Sequence, residues 1–165
     1  MQTQTVQERQ AVNESGTEKY LVFQIGAESY GMPLLQVQEI RTYTPATRVP
    51  GAPPYVLGVI NLRGNIIAVL DARTRFGLQP PEDEQATVII VAQVGGKTFG
   101  LRVDSVSDVV DVPMSEVQPP PPIASEETQR FLNGLVQLGE RVLILINLPE
   151  IFDLAEISRW ANAAA

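Results

Sequence analysis

The sequence predicts an all-β protein built as two similar five-stranded β-barrels packed together, with a short C-terminal helix. Three observations carry this expectation. The chain contains an internal duplication. Each copy holds five short segments rich in Val and Ile, punctuated by Gly, Pro or polar residues. Several of those segments are apolar throughout rather than alternating, so both of their faces need cover.

The duplication is read by setting Tyr30-Gly31 over Phe99-Gly100, an offset of 69 residues. Leu21-Val22-Phe23-Gln24-Ile25-Gly26 then falls on Ile90-Val91-Ala92-Gln93-Val94-Gly95 without a gap, and Glu39-Ile40 on Asp108-Val109. A second match has an offset of 76. It lays Gly58-Val59-Ile60-Asn61-Leu62 over Gly134-Leu135-Val136-Gln137-Leu138, and Ile66–Asp71 over Val142–Asn147. Repeated units of this kind fold alike. The expected organisation is a tail at 1–18, a first barrel at 19–84, a second at 85–153 and a helix or tail at 154–165.

In the first copy the strands are expected near 19–25, 29–33, 38–43, 57–62 and 65–71. In the second they are expected near 87–94, 98–103, 107–112, 134–139 and 141–147. Gly26-Ala27-Glu28, Arg63-Gly64-Asn65, Gly95-Gly96-Lys97 and Gly139-Glu140-Arg141 read as hairpin turns, since glycine readily takes positive φ. Leu34–Val37 after Pro33 reads as a helical turn, because proline suits a first helical position. Residues 149–162, opened by Pro149 with Ile151, Phe152, Ala155 and Ile157 on one side, read as a helix. Antiparallel strands that hide two faces in about 65 residues favour closed barrels, which also remove exposed edges. Cores so thin favour two barrels that share an interface. The Pro-rich stretches at 45–54 and 113–122 read as stiff connectors.

Composition narrows the chemistry. The 165 residues hold 12 Lys plus Arg against 19 Asp plus Glu, a formal net charge of −7. An acidic chain without a basic run is a poor match for a phosphate backbone, so nucleic acid is not expected as a partner. Cysteine and histidine are both absent. Disulfides, thiolate nucleophiles, Cys–His and Ser–His constellations and the commonest transition-metal ligands go with them. Residues 1–18 lack the apolar run of a secretory signal, and no stretch nears the roughly 20 apolar residues that span a bilayer. A cytoplasmic protein without direct membrane insertion is expected.

What remains for chemistry is a set of carboxylates. Glu39 and Asp71 are conceivable as an acid–base pair, but no flanking motif supports it, and solvated surface acids are far commoner. Asp104, Asp108 and Asp111 lack a metal-binding loop pattern, and in an extended chain Asp111 faces away from the other two. Residues 58–64 are not a phosphate loop, since no Gly-Lys-Ser/Thr follows. No catalytic residue, cofactor or metal is therefore expected. The two copies share apolar residues and Gly and differ in polar ones: Arg63 becomes Gly139, Asn61 becomes Gln137 and Asp71 becomes Asn147. Arg63, with Gly64 beside it, admits two readings. It presents a fork of donors for recognition, or it is a structural arginine paired with an acid such as Glu39 or Asp71.

Tyr20-Leu21-Val22-Phe23, Tyr30-Gly31, Val37-Gln38-Glu39-Ile40-Arg41 and Gly58-Val59-Ile60-Asn61-Leu62-Arg63-Gly64 resemble the CheW family of bacterial chemotaxis coupling proteins. So do Asp104-Ser105-Val106-Ser107-Asp108-Val109 and Leu143-Ile144-Leu145-Ile146-Asn147, and the resemblance runs from about Lys19 to Phe152. It implies two SH3-like barrels and no enzymatic activity. It also implies two partners: the cytoplasmic tip of methyl-accepting chemoreceptors and the regulatory domain of a CheA-type histidine kinase. A receptor helix would lie in a groove between the lobes, lined or supported by Val37, Glu39, Gly58, Arg63, Gly64 and Val106, with Val88 beside them. The kinase contact is implied to be an apolar patch of the second barrel, with no residues assigned. The reading from a different class is a small-molecule sensor whose pocket is the inter-barrel groove.

Overall fold

The structure, a computed structural model, describes residues 16–121 and 125–153. Ten strands carry it: β1 (Thr17–Ile25), β2 (Glu28–Pro33), β3 (Val37–Thr42), β4 (Val56–Leu62), β5 (Asn65–Asp71), β6 (Val88–Val94), β7 (Lys97–Val103), β8 (Ser105–Pro113), β9 (Leu132–Leu138) and β10 (Arg141–Ile146). Each lies within two residues of its expected position. Three short helices accompany them: α1 (Ala72–Arg75) and α2 (Glu126–Arg130) between strands, and α3 (Leu148–Phe152) after the last one. Asn147 caps α3 through its side chain, and Asp153 ends it in the left-handed region at φ 45°. The expected helix over 149–162 is therefore one short turn here, and its remainder lies outside the described residues. Among the described residues no helix is long and apolar enough to cross a membrane.

The strands form two five-stranded sheets, ordered β8-β1-β2-β10-β9 and β3-β6-β7-β5-β4. The expected division at 84/85 does not describe them. The second sheet is the continuous segment 37–103; the first is assembled from the two ends of the chain, 17–33 and 105–146. The cause is where the chain crosses over. Pro33 and a 3₁₀ turn at Leu34–Gln36 carry it from β2 into the other sheet, and the single residue Asp104 carries it back from β7 to β8. The repeating unit of sequence and the folding unit of space are thus offset, and each sheet combines one copy's first hairpin with the other copy's last three strands. Register follows the duplication closely. Gly31 sits opposite Leu145 in the parallel pair of β2 and β10, as Gly100 sits opposite Val69 in the pair of β7 and β5.

Both sheets close into SH3-like barrels by the same device. Beyond β3, Thr47 and Val59 exchange backbone hydrogen bonds of 2.8 and 2.9 Å; beyond β8, Gln118 and Leu135 exchange two of 2.8 Å. Gly58 and Gly134 make that closure sterically possible. A Cβ on Gly58 would stand 2.2 Å from the Thr47 carbonyl oxygen, and one on Gly134 would stand 2.6 Å from that of Gln118.

Burial explains the unbroken apolar strands. Along β1, Tyr20 and Val22 fill the interior of their own barrel, while Leu21, Phe23 and Ile25 face the other one. Along β6, Ile89 and Val91 point inward, and Ile90, Ala92 and Val94 face across. The largest core lies between the barrels. There Tyr30 stacks on Phe76 at 5.4 Å and, at the equivalent place, Phe99 on Phe152 at 4.8 Å. Phe99 and Phe152, both buried, contribute about 1.5–3 kcal/mol each, and the partly buried Phe76 less. One cation breaks the symmetry. The Arg75 guanidinium lies 3.8 Å from the ring centre of Tyr55 and 4.7 Å from that of Phe131, and it donates to the carbonyls of Ile151 and Glu150. Tyr55 and Phe131 are equivalent positions of the two copies.

Candidate functional site

The sequence-expected residues fall on both barrels. Val37 and Glu39 are on β3, Gly58 on β4, Arg63 and Gly64 in the β4–β5 turn and Val88 at the start of β6, all in the continuous barrel; Val106 is on β8 of the other. Arg63 and Gly64 form a two-residue hairpin with φ 51° and 89°, the positive values that a tight type I′ turn requires. Gly64 N–H donates to Asn61 Oδ1 at 2.8 Å and fixes the turn. That turn aims the Arg63 side chain, about two-thirds exposed, at the partly buried Glu39.

Glu39 accepts from two arginines. Arg63 Nη2 donates to Oε2, and Arg41 Nη1 donates to Oε1 at 3.1 Å. These bonds, Arg63 first and Arg41 second, hold the Glu39 carboxyl below its ordinary value. The structure therefore joins Arg63 to Glu39, while Asp71 lies elsewhere. Asp71 is buried, accepts from Arg102 Nε at 3.2 Å and caps α1 through Thr74. An acid–base pair of Glu39 with Asp71 has no support in these partnerships.

Strand register sorts the apolar members from the charged ones. A bulge at Gln38 interrupts the pairing of β3 with β6, so that Val37 aligns with Ala92, Glu39 with Val91 and Ile40 with Ile90. Ala92 and Ile90 belong to the inter-barrel core, and Val91 to the barrel's interior. Residues paired across antiparallel strands share a face. Val37 and the half-exposed Ile40 therefore extend the inter-barrel core to the surface, and Glu39 projects on the other side. Val37, Val88 and Val106 are all partly buried against that core. Val88 pairs with Thr42, three residues along β6 from Glu39's partner, or roughly 10 Å away. Gly58 is buried at the barrel seam, where its lack of a side chain is a packing requirement.

The duplication carries the same site to the other barrel, which reasoning from the sequence missed. Asp108 occupies the place of Glu39, and it accepts from Arg141 Nη2 at 3.0 Å and Nη1 at 3.5 Å. Arg141 and then Ser107 hold its carboxyl below the ordinary value. Arg141 is equivalent to Asn65 rather than to Arg63, so the same acid is matched by an arginine two residues further along the hairpin. The bulge recurs between Val106 and Asp108, where the register on β1 shifts between Val22 and Phe23. The exposed apolar residues match as well: Ile40 with Val109 and Ile66 with Val142. Applying the two offsets to Glu39 and Asn65 was the signal available in the sequence. Asp104 and Asp111 are also matched to cations, Arg73 and Lys19, and no group of three acids that could hold a metal occurs among the described residues.

The fold is a duplicated barrel pair around a shared apolar core, with an acid–arginine pair on each barrel. The comparisons name the family. A CheW-like domain model matches residues 19–156, and the chain belongs to the CheW family. It is 40% identical over 141 residues to a probable chemotaxis protein CheW of Rhizobium etli, covering 86% of this chain and 91% of that one. It is 37% identical over 151 residues to the chemotaxis protein CheW of Klebsiella aerogenes, covering 92% and 91%. Among solved structures it resembles the scaffolding protein TtCheW of Thermoanaerobacter tengcongensis, with a TM-score of 0.76, 32% identity and coverage of 83% and 93%. These relatives are named as chemotaxis and scaffolding proteins, not as enzymes.

Proposed function

We propose that this chain is a non-catalytic adaptor that couples methyl-accepting chemoreceptors to a CheA-type histidine kinase. The observation that carries the reading, beside family membership, is the Glu39–Arg63–Arg41 cluster on β3, the strand that also carries Val37 at the edge of the inter-barrel core. A helix of the receptor's cytoplasmic tip lays its apolar side along Val37, Val88 and Val106, and Glu39 and Arg63 set its register through charge. Gly58 and Gly64 act on this surface indirectly, by closing the barrel and by shaping the turn that carries Arg63. The kinase's regulatory domain docks on barrel surface outside this seam. The protein works in the cytoplasm and reaches membrane-associated arrays by binding receptors. Single contacts of this modest kind have affinities on the order of micromolar, and multivalency makes the assembly stable.

Calorimetric titration against the regulatory domain of a CheA-type kinase tests the coupling role. Saturable one-to-one binding is expected, with no turnover of nucleotide by this chain. Absence of binding at about 100 µM, well above the micromolar range, would contradict it.

A further inference from the structure

A cleft of about 210 Å³ opens on the continuous barrel, lined by the β3–β4 connection at Tyr43, Thr44 and Arg48 and by Glu84 and Arg102. It lies outside the acid–arginine site described above. Arg102 is the unusual member: its side chain is 5% exposed, an uncommon burial for a guanidinium. Its Nε donates to the buried Asp71 at 3.2 Å and its Nη1 to Glu84 at 3.0 Å, while Nη2 has no acceptor among the described residues. Glu84 is more than half exposed and sits in a single 3₁₀ turn, so this contact is easily exchanged. Arg48 lines the same cleft, is exposed and has no ion pair or hydrogen bond among the described residues. In the other barrel the position equivalent to Arg102 is Pro33, so the feature belongs to one barrel alone.

We infer that this cleft binds a small dianion, a phosphate or a dicarboxylate, between Arg102 and Arg48. Arg102 supplies a donor fork already held in place by Asp71, and an arginine fork suits planar and tetrahedral oxyanions. Arg48 closes over the anion from the rim, where Tyr43 and Thr44 add hydroxyl groups. Glu84 holds the place of the ligand: its carboxylate accepts from Nη1 and swings into solvent when the anion arrives. The overall charge of −7 opposes anions, so affinity is weak, roughly millimolar, and falls with salt. This inference is independent of the coupling role.

The test titrates inorganic phosphate and, separately, succinate into the full chain at constant ionic strength, by calorimetry and thermal shift. Arg48→Ala and Glu84→Gln are the variants; Arg102 is left intact because its loss would strand Asp71 as a buried unpaired charge. At least one anion binds the wild type, Arg48→Ala weakens it about fivefold, and Glu84→Gln tightens it by a similar factor, the scale of an exposed charge contact. The better anion distinguishes a phosphate ester from a carboxylate as the natural group. Binding that neither variant alters would overturn the site, as would no binding of either anion at about 20 mM, well above the millimolar range. If neither anion binds while Arg48→Ala weakens the kinase-domain complex, the cleft serves an acidic protein side chain, and the small-ligand proposal is wrong.

Discussion

The two barrels differ less in their packing than in their polar surface, and the pattern of difference is instructive. Both close through a backbone bridge over a glycine, both carry a bulge in the same strand, and both seat an aromatic stack against the shared core. These features are set by sterics and burial, which leave few alternatives. The acid–arginine pairs are set only by reach. One barrel draws its arginine from the turn itself and holds the acid with two guanidiniums; the other draws a single arginine from the strand beyond. Positions where a Cβ or a ring would collide are kept in both copies, while the charged groups diverge, the exposed acid–arginine pairs as well as the partly buried Arg75 and the buried Arg102.

The comparison can be broken first at the seam. Phe131→Ala removes half of the cage around Arg75 and leaves a cavity between the barrels; a loss of about 3–5 kcal/mol is expected by denaturant unfolding. Next come the closing glycines. Gly58→Ala meets the Thr47 carbonyl and must also adopt φ near 148°, so it should cost about 3 kcal/mol or more. Gly134→Ala meets Gln118 and Val117 without the φ penalty and should cost about 1–3 kcal/mol. Equal losses at the two positions would show that the φ of Gly58 carries no penalty of its own.

The smallest effect is on acid stability. Asp104 is held below its ordinary value of 3.8, first by hydrogen bonds from Arg73 and then, against the opposing effect of burial, by the Gly26 amide. A carboxyl depressed in the folded state contributes stability fully present above its unfolded value, and lost as pH falls through the folded one. Thermal stability should therefore decline below about pH 4, and Asp104→Asn should flatten that decline more than Asp108→Asn, whose partner is exposed. A steeper decline in the Asp104→Asn variant would refute the assignment.

Much of this was readable before the structure. Ten strands and their four two-residue turns follow from apolar runs and glycine placement, and the Glu39–Arg63 pair was one of two open readings of Arg63. The pairing of strands between copies was not readable. β1 and β6 carry interchangeable apolar patterns, so periodicity cannot say which copy's third strand lies beside each. The lobes at 19–84 and 85–153 followed from that ambiguity. Nor could the sequence reveal Arg102, because its partners at 71 and 84 meet it only through the parallel pairing of β5 with β7 and a 3₁₀ turn. Asp108–Arg141 escaped notice because the arginine shifted by two residues while the acid stayed.

In the proposed contact Glu39 and Arg63 of the continuous barrel set the register of the receptor helix, and the Asp108–Arg141 pair of the other barrel takes no part. The direct measurement is titration of a chemoreceptor's cytoplasmic tip against the wild type, Arg63→Ala and Arg141→Ala. Arg63→Ala should weaken binding by about 1–3 kcal/mol with its melting temperature unchanged, and Arg141→Ala should bind within about twofold of the wild type. Wild-type binding by Arg63→Ala, or an equal loss in both variants, would contradict it.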